Sequence, residues 1–244
     1  MNEQAEGTGV GIPTSPTWRS VRLAQVAFDL PLSPHQLPAL RGAVGHTAYG
    51  QSSRLHNHAT DGALHYRYPL IQYYIHQGKA AAIGIEQGAD ELLAALSMQR
   101  VVLLLEGHAL DVQATHVSFR NAPVLVWDRC SPYRIRQWAP LDRSTEAAYY
   151  AARDSNGLAA FFARRLTGNM LSFAKGIGFH VPRQIQTRVL EIDGPYPVGY
   201  KGVGRLCFNL TFETNLSLPA GIGLGKHTSV GFGRIAPVRP FHQS

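Results

Sequence analysis

Two imidazoles stand two residues apart in Leu55-His56-Asn57-His58, with Asp61-Gly62 just after them. Histidine titrates near neutrality, so such a pair supplies one proton acceptor and one proton donor at pH 7. Self-cleavage of RNA needs that combination. One group removes the 2′-hydroxyl proton, and the other protonates the 5′-oxygen that leaves. The same letters also allow a zinc site through His-x-His, or histidines that simply face solvent. No cysteine pair and no acidic cluster of EF-hand type completes a metal set. Side chains two apart diverge on a helix but can share a substrate on a loop. Residues 50–63 are polar and turn-forming, which predicts a loop there.

A second group is the run Gly223-Leu224-Gly225-Lys226-His227-Thr228-Ser229-Val230-Gly231-Phe232-Gly233. Two Gly-x-Gly pairs flank a polar, basic centre. Glycine permits positive φ and close backbone approach, so successive N–H groups can turn toward an anion, with Lys226 and His227 adding donors. The alternative is a pair of tight turns between strands. Neither familiar nucleotide loop fits. A P-loop requires glycine where Ala220 stands and Ser/Thr where His227 stands, and a dinucleotide fingerprint requires glycine at Thr228.

Charge is distributed unevenly. Residues 1–122 hold 8 Lys/Arg against 9 Asp/Glu, a balance of −1, whereas residues 123–244 hold 15 against 7, a balance of +8. A basic half beside a neutral one suggests a polyanion held by the C-terminal portion; a solvated basic surface is the other reading. Arginine dominates, which favours planar contacts to phosphates and bases. The longest apolar run, about Val101 to Leu105, is far shorter than the roughly 20 residues of a membrane span. Cys130 and Cys207 form no CxxC pair, as expected of a reducing, cytoplasmic setting.

These residues must be positioned by an α+β scaffold. Residues 1–16 read as a flexible tail. A strand is predicted from Arg19 to Leu30, then a short helix over 35–49 entered through Ser33–Pro34. A hairpin follows from Tyr66 to His76 and Ala80 to Ile85, then a helix over 89–97 and a buried strand at Val101 to Leu105. That order is the split βαβ of a ferredoxin-like (RRM-like) domain, expected over 17–122. In the second half, strand-like pieces lie at Val117–Phe119, Val124–Trp127 and Tyr133–Trp138. A helical stretch from Thr145 to Phe173 has candidate breaks at Asn156–Gly157 and Gly168. Its Leu158, Phe161, Phe162, Leu166, Met170 and Phe173 form one apolar face. Strands at 185–192, 203–214 and Arg234–Val238 complete a second such domain over 123–244.

The glycine run matches GxGxxxxxGxG, and the chain resembles the CRISPR repeat-RNA processing endoribonucleases that carry this signature. The resemblance extends through Leu40-Arg41-Gly42-Ala43, residues 55–62, Tyr66-Arg67-Tyr68-Pro69-Leu70-Ile71-Gln72-Tyr73 and Gly84-Ile85-Glu86-Gln87-Gly88. It continues in residues 168–178 and Gly199-Tyr200-Lys201-Gly202, so it covers about 20 to 238. It implies tandem ferredoxin-like domains, each an antiparallel sheet with helices on one face. It also implies metal-independent, cofactor-free cleavage leaving a 2′,3′-cyclic phosphate and a 5′-hydroxyl, with His56 and His58 as the catalytic pair. Other branches place a catalytic histidine earlier, which makes His46 and Tyr49 reserve candidates. RNA contacts are expected from Arg54, Arg67, Lys175, Lys201, Gly223, Gly225, Lys226, His227, Gly231 and Gly233. The partner is CRISPR repeat RNA. A rival reading is a repeat-RNA binding subunit that has lost cleavage and sits among other subunits of a CRISPR effector complex.

Overall fold

The structure is a computed structural model that describes residues 17–48, 68–96, 101–105, 107–152 and 154–238. Its strands are β1 (Trp18–Pro31), β2 (Ile71–His76), β3 (Lys79–Ile85), β4 (Val101–Leu105), β5 (His108–Val112), β6 (Ala114–Trp138), β7 (Thr187–Tyr200), β8 (Val203–Leu216) and β9 (Arg234–Pro237). The helices are α1 (Leu37–Ala48), α2 (Gln87–Leu96), α3 (Glu146–Ala151) and α4 (Ser155–Gly176), with 3-10 turns at Pro34–Gln36 and Thr228–Val230. Two hairpins turn on residue pairs with positive φ at both positions, Gln77–Gly78 and Lys201–Gly202. That geometry matches the right-handed twist of the flanking strands.

The three strand pieces expected between Val117 and Trp138 are one 25-residue strand, β6. Its first part pairs antiparallel with β1, from Trp18 opposite Leu125 to Phe28 opposite Ala114. Its second part pairs with β8 on one edge and with β9 on the other. The first half therefore reads β6-β1-β3-β2 across the sheet, and the second reads β9-β6-β8-β7. Each is a ferredoxin-like sheet, and β6 serves as the last strand of one and the first strand of the other. The expected boundary at 122/123 falls inside this strand.

One sequence expectation needs correction. Val101–Leu105 does form a strand, but it pairs with β5 in a separate two-stranded sheet and not with β1. The slot beside β1 is filled by β6, whose greater length offers more ladder hydrogen bonds. Val102 and Leu104 are accordingly exposed, while Leu105 is buried. The helical stretch also breaks earlier than expected, between α3 and α4. There Asp154 caps α4, its Oδ1 accepting from the Gly157 amide at 2.5 Å, and helix continues through Gly168. A side-chain acceptor at the N-cap satisfies one of the amides that the first turn leaves without a partner.

The core follows from alternation. On β1, Val21 and Leu23 point into a cluster that also holds Ile83 and Ile85. Val26, Phe28 and Leu30 point the other way, against Leu40, Ala43 and Val44 of α1. The first cluster does not stop at the boundary. It continues through Val124 and Ile135 of β6 into Phe162, Leu166, Met170 and Phe173 of α4, and into Ile222 and Leu224 of the glycine-rich loop. Phe162 is the hub, edge-on to Trp138 and tilted against Phe208 with ring centroids 4.7 Å apart.

Phe162→Ala is expected to lower stability by about 3–5 kcal/mol, because a fully buried ring leaves a cavity that rigid strands cannot close. Phe119→Ala, at a side chain 62% exposed on β6, is expected to stay within about 0.5 kcal/mol. Urea unfolding midpoints of the two variants check this, and equal shifts would contradict the core assignment.

Candidate functional site

The glycine-rich loop runs from β8 to β9 and fills the place that a second helix, α2, takes in the first ferredoxin-like unit. Its apolar residues explain its path. Ile222 and Leu224 are fully buried, and Val230 and Phe232 nearly so. Placing apolar side chains between glycines lets the backbone enter a packed interface while each side chain fills it.

The loop is fastened to the first half by a buried polar triad. The Tyr68 hydroxyl donates to the Gly223 carbonyl at 2.8 Å, and the Gly223 amide donates to Gln72 Oε1 at 2.7 Å. Gln72 Nε2 donates to the Tyr68 hydroxyl at 2.9 Å, closing the ring of bonds. Burial raises the Tyr68 phenol well above its ordinary value, so it stays a donor throughout the physiological range. Tyr68 also packs edge-on against Phe173 and lies against Gly176, where an added Cβ would come 2.5 Å from its own Cβ. A second fastening joins the loop to α1, where Arg41 Nη1 donates to Ser229 Oγ at 2.9 Å. Arg234, just after the loop, stacks over the Tyr74 ring at 3.2 Å.

Within the second half, Gly225 has a φ of +94°, and a Cβ there would sit 2.7 Å from Trp138 Nε1 and 2.9 Å from Asn169 Oδ1. Those two groups are hydrogen bonded at 3.0 Å, so the site requires glycine on both conformational and steric grounds. Lys226 Nζ bonds Asp142 Oδ2 at 2.5 Å, and Arg165 stands 3.8 Å from the same oxygen. The Lys226 bond, helped by the Ser144 and Thr145 hydroxyls, holds the Asp142 carboxyl far below the usual range. His227 packs against Tyr200, tilted by 40° with centroids 4.4 Å apart, and meets Phe232 edge-on. Burial, and then the nearby Arg205, Lys226 and Lys201, bring its pKa down to about 4.

Several amides of the loop are occupied within the protein. The N–H groups of Gly221, Leu224, Gly231, Phe232 and Gly233 bond to protein carbonyls, and that of Gly223 bonds Gln72. At the tip, Lys226 is engaged by Asp142, and His227 is a neutral ring packed against Tyr200. Lys201 is exposed at the β7–β8 turn, with its ammonium 5.8 Å from the Tyr200 centroid. Lys175 is exposed in the last turn of α4, next to Gly176. His46 lies in the final turn of α1. Tyr49, Arg54, His56, His58 and Arg67 lie outside the described residues.

Tyr68 and Gln72 belong to the run quoted from the sequence, but their joining role was not read there. The available signal was a glutamine between apolar residues of a strand, a position that is buried only when its amide is satisfied. Asp142 had no sequence signal. Among the described residues, no three or more His, Cys, Asp or Glu side chains converge as a metal site.

The His227 environment gives a pH prediction. Its folded pKa lies below the unfolded value of about 6.5, so its contribution to stability is complete above that pH. It is lost as pH falls toward 4, where the unfolded chain binds the proton first. His227→Asn, a residue that tolerates the left-handed backbone at this position, should flatten the pH dependence of unfolding between 6.5 and 4. The expected reduction is at most about 1.4 kcal/mol per pH unit for one proton. Parallel profiles for variant and wild type would contradict the assignment.

Comparison with known proteins agrees with this architecture. The family model of the Cas6b N-terminal domain matches residues 19–122, and that of the Cas6b C-terminal domain matches residues 125–238. A solved Cas6b superposes with a TM-score of 0.75 at 24% identity, covering 90% of this chain and 100% of that one. A second, a CRISPR RNA processing endoribonuclease Cas6b, gives 0.66 at 21% identity over 90% and 100%. The type IV Cas6 crRNA endonuclease Csf5 gives 0.53 at 14% identity over 89% and 100%. An uncharacterized protein of Methanocaldococcus jannaschii is 29% identical over 104 residues, 43% of this chain and 69% of that protein. The three structural likenesses concern the fold. With both halves matched by their own family models, the chain belongs to the Cas6b family.

Proposed function

We propose that this chain binds CRISPR repeat RNA and cuts it once by attack of a 2′-hydroxyl, with His56 and His58 as the acid–base pair. One imidazole takes the 2′-hydroxyl proton as that oxygen bonds to phosphorus. The P–O5′ bond breaks, and the second imidazole, as imidazolium, gives its proton to the departing O5′. The products are a 2′,3′-cyclic phosphate and a 5′-hydroxyl, and no electron acceptor or metal enters the balance.

Family membership supports RNA processing, and one structural observation supports the location. The residues on both sides of the histidine segment are fastened to the glycine-rich loop. On the N-terminal side α1 reaches it through Arg41 and Ser229; on the C-terminal side Tyr68 reaches it through Gly223. The segment 49–67 is thus bracketed by two anchors on one loop of the basic half. Lys175 and Lys201 are exposed cations of this half and are proposed to meet phosphates. Arg54 and Arg67 are further proposed RNA contacts.

His56→Ala and His58→Ala are each expected to slow single-turnover cleavage about 10²- to 10⁴-fold with RNA affinity nearly unchanged, the usual range for one general acid or base. Cleavage of the wild type is expected to persist in EDTA and to stop on RNA with a 2′-deoxy substitution at the scissile nucleotide. If one histidine is silent, Tyr49 or His46 takes its role. Wild-type rates in both single variants and the double variant would reject the pair. RNA bound tightly yet never cut by the wild type would favour the binding-only reading.

A further inference from the structure

A cleft of about 380 Å³ opens between the two halves beside the glycine-rich loop. The first half contributes Pro34 and Pro38, at the entry to α1, and the second half contributes Val198, Tyr200 and Lys201 from the β7–β8 hairpin. Phe232 of the loop also lines it. The cleft thus has an aromatic plane, apolar flanks and a cation at its rim.

The aromatic plane is held rigidly. His227 packs against Tyr200, tilted by 40° with centroids 4.4 Å apart, without itself lining the cleft, and Phe232 meets the Tyr200 ring edge-on at 5.8 Å. A ring fixed on one side by protein loses little freedom when a planar ligand lies on it. The backing imidazole is neutral at physiological pH, so the stack carries no charge that would need hydration.

The surrounding charge is positive. Lys201 is exposed at the turn beside the ring. Arg205 is the cross-strand partner of Val198, which places both side chains on one face of the hairpin. Its Nε is buried without a hydrogen-bond partner. Two cations beside one stacking plane exceed what a single phosphate requires and suit consecutive phosphates of a strand. Base stacking on an aromatic side chain beside basic groups is the general physics of single-strand binding.

We propose that this cleft receives one unstacked nucleobase of the RNA, stacked on Tyr200 with Lys201 and Arg205 on the neighbouring phosphates. The inference rests on the RNA-processing reading above and adds a subsite to it.

The test uses the full chain and repeat RNAs carrying 2-aminopurine at successive positions, each with a 2′-deoxy scissile nucleotide so that binding is read without cleavage. With wild type, fluorescence at one position should be quenched beyond the others. Tyr200→Phe keeps the stacking plane and should keep both quenching and affinity. Tyr200→Leu removes the plane and Val198→Phe fills the cleft; each should abolish that quenching and weaken binding about 5- to 100-fold, the range of one base–aromatic stack. The inference is overturned if wild type binds and Tyr200→Leu binds equally with the same quenching pattern. It is also overturned if Tyr200→Phe loses as much as Tyr200→Leu, since a stacking plane would then not be the cause. If wild type fails to bind repeat RNA at all, the RNA-processing reading itself fails.

Discussion

The peptide at Gly223 is held by groups from the other half of the chain, and the arrangement of the rest depends on that contact. Its carbonyl accepts from Tyr68 and its amide donates to Gln72, inside an interface where water does not compete. A buried polar group left without a partner costs about 1–3 kcal/mol, so the three bonds specify one docking register and not merely adhesion. Around them Ile222 and Leu224 fill the face of the first sheet through Ile83 and Leu23. The loop is thereby a plug, and its glycines allow backbone to pass where side chains would collide.

The shared strand β6 makes that plug possible. Because the last strand of one unit continues as the first strand of the next, the two sheets leave no swivel between them within 114–138. The glycine loop then closes against β2 and α1, the elements from which the histidine segment departs and to which it returns. The proposed acid–base chemistry needs two imidazoles held against one phosphodiester, and an anchor on each side of residues 49–67 would serve that precision. The Arg41–Ser229 and Tyr68–Gly223 bonds supply one on each side. Asp142 plays a related part in the second half, drawing Lys226 down and fixing the tip of the loop.

Much of the scaffold was legible in the sequence because local rules agree with the fold. Gln77–Gly78 between two apolar runs gave the β2–β3 hairpin, and the three- and four-residue spacing from Phe161 to Phe173 gave the buried face of α4. What was not legible has physical causes. Pro123, Pro132 and the polar stretch Asp128–Cys130 interrupt the apolar alternation of β6, so one strand looked like three. The strand survives because its ladder partners change along its length, from β1 to β8 and β9. Val101–Leu105 looked buried because it is uniformly apolar, but the position beside β1 was already taken. The packing of the glycine loop was not legible either, since its glycines and lysine mask the pattern of Ile222, Leu224, Val230 and Phe232, all buried. Those four apolar residues were the signal for a packed insert. The histidine pair was legible only as chemistry, since nothing in its tripeptide says what holds it in place.

The central claim is that the loop positions the catalytic segment through the Tyr68–Gly223 bond. The most direct measurement is the single-turnover cleavage rate of Tyr68→Phe at saturating repeat RNA, well below its unfolding temperature. The variant keeps the ring packed on Phe173 and Gly176 and loses only the hydroxyl. Small displacements of positioned groups cost rate steeply, so the account predicts a fall of about tenfold or more with the same cleavage site. A wild-type rate in this variant would contradict it.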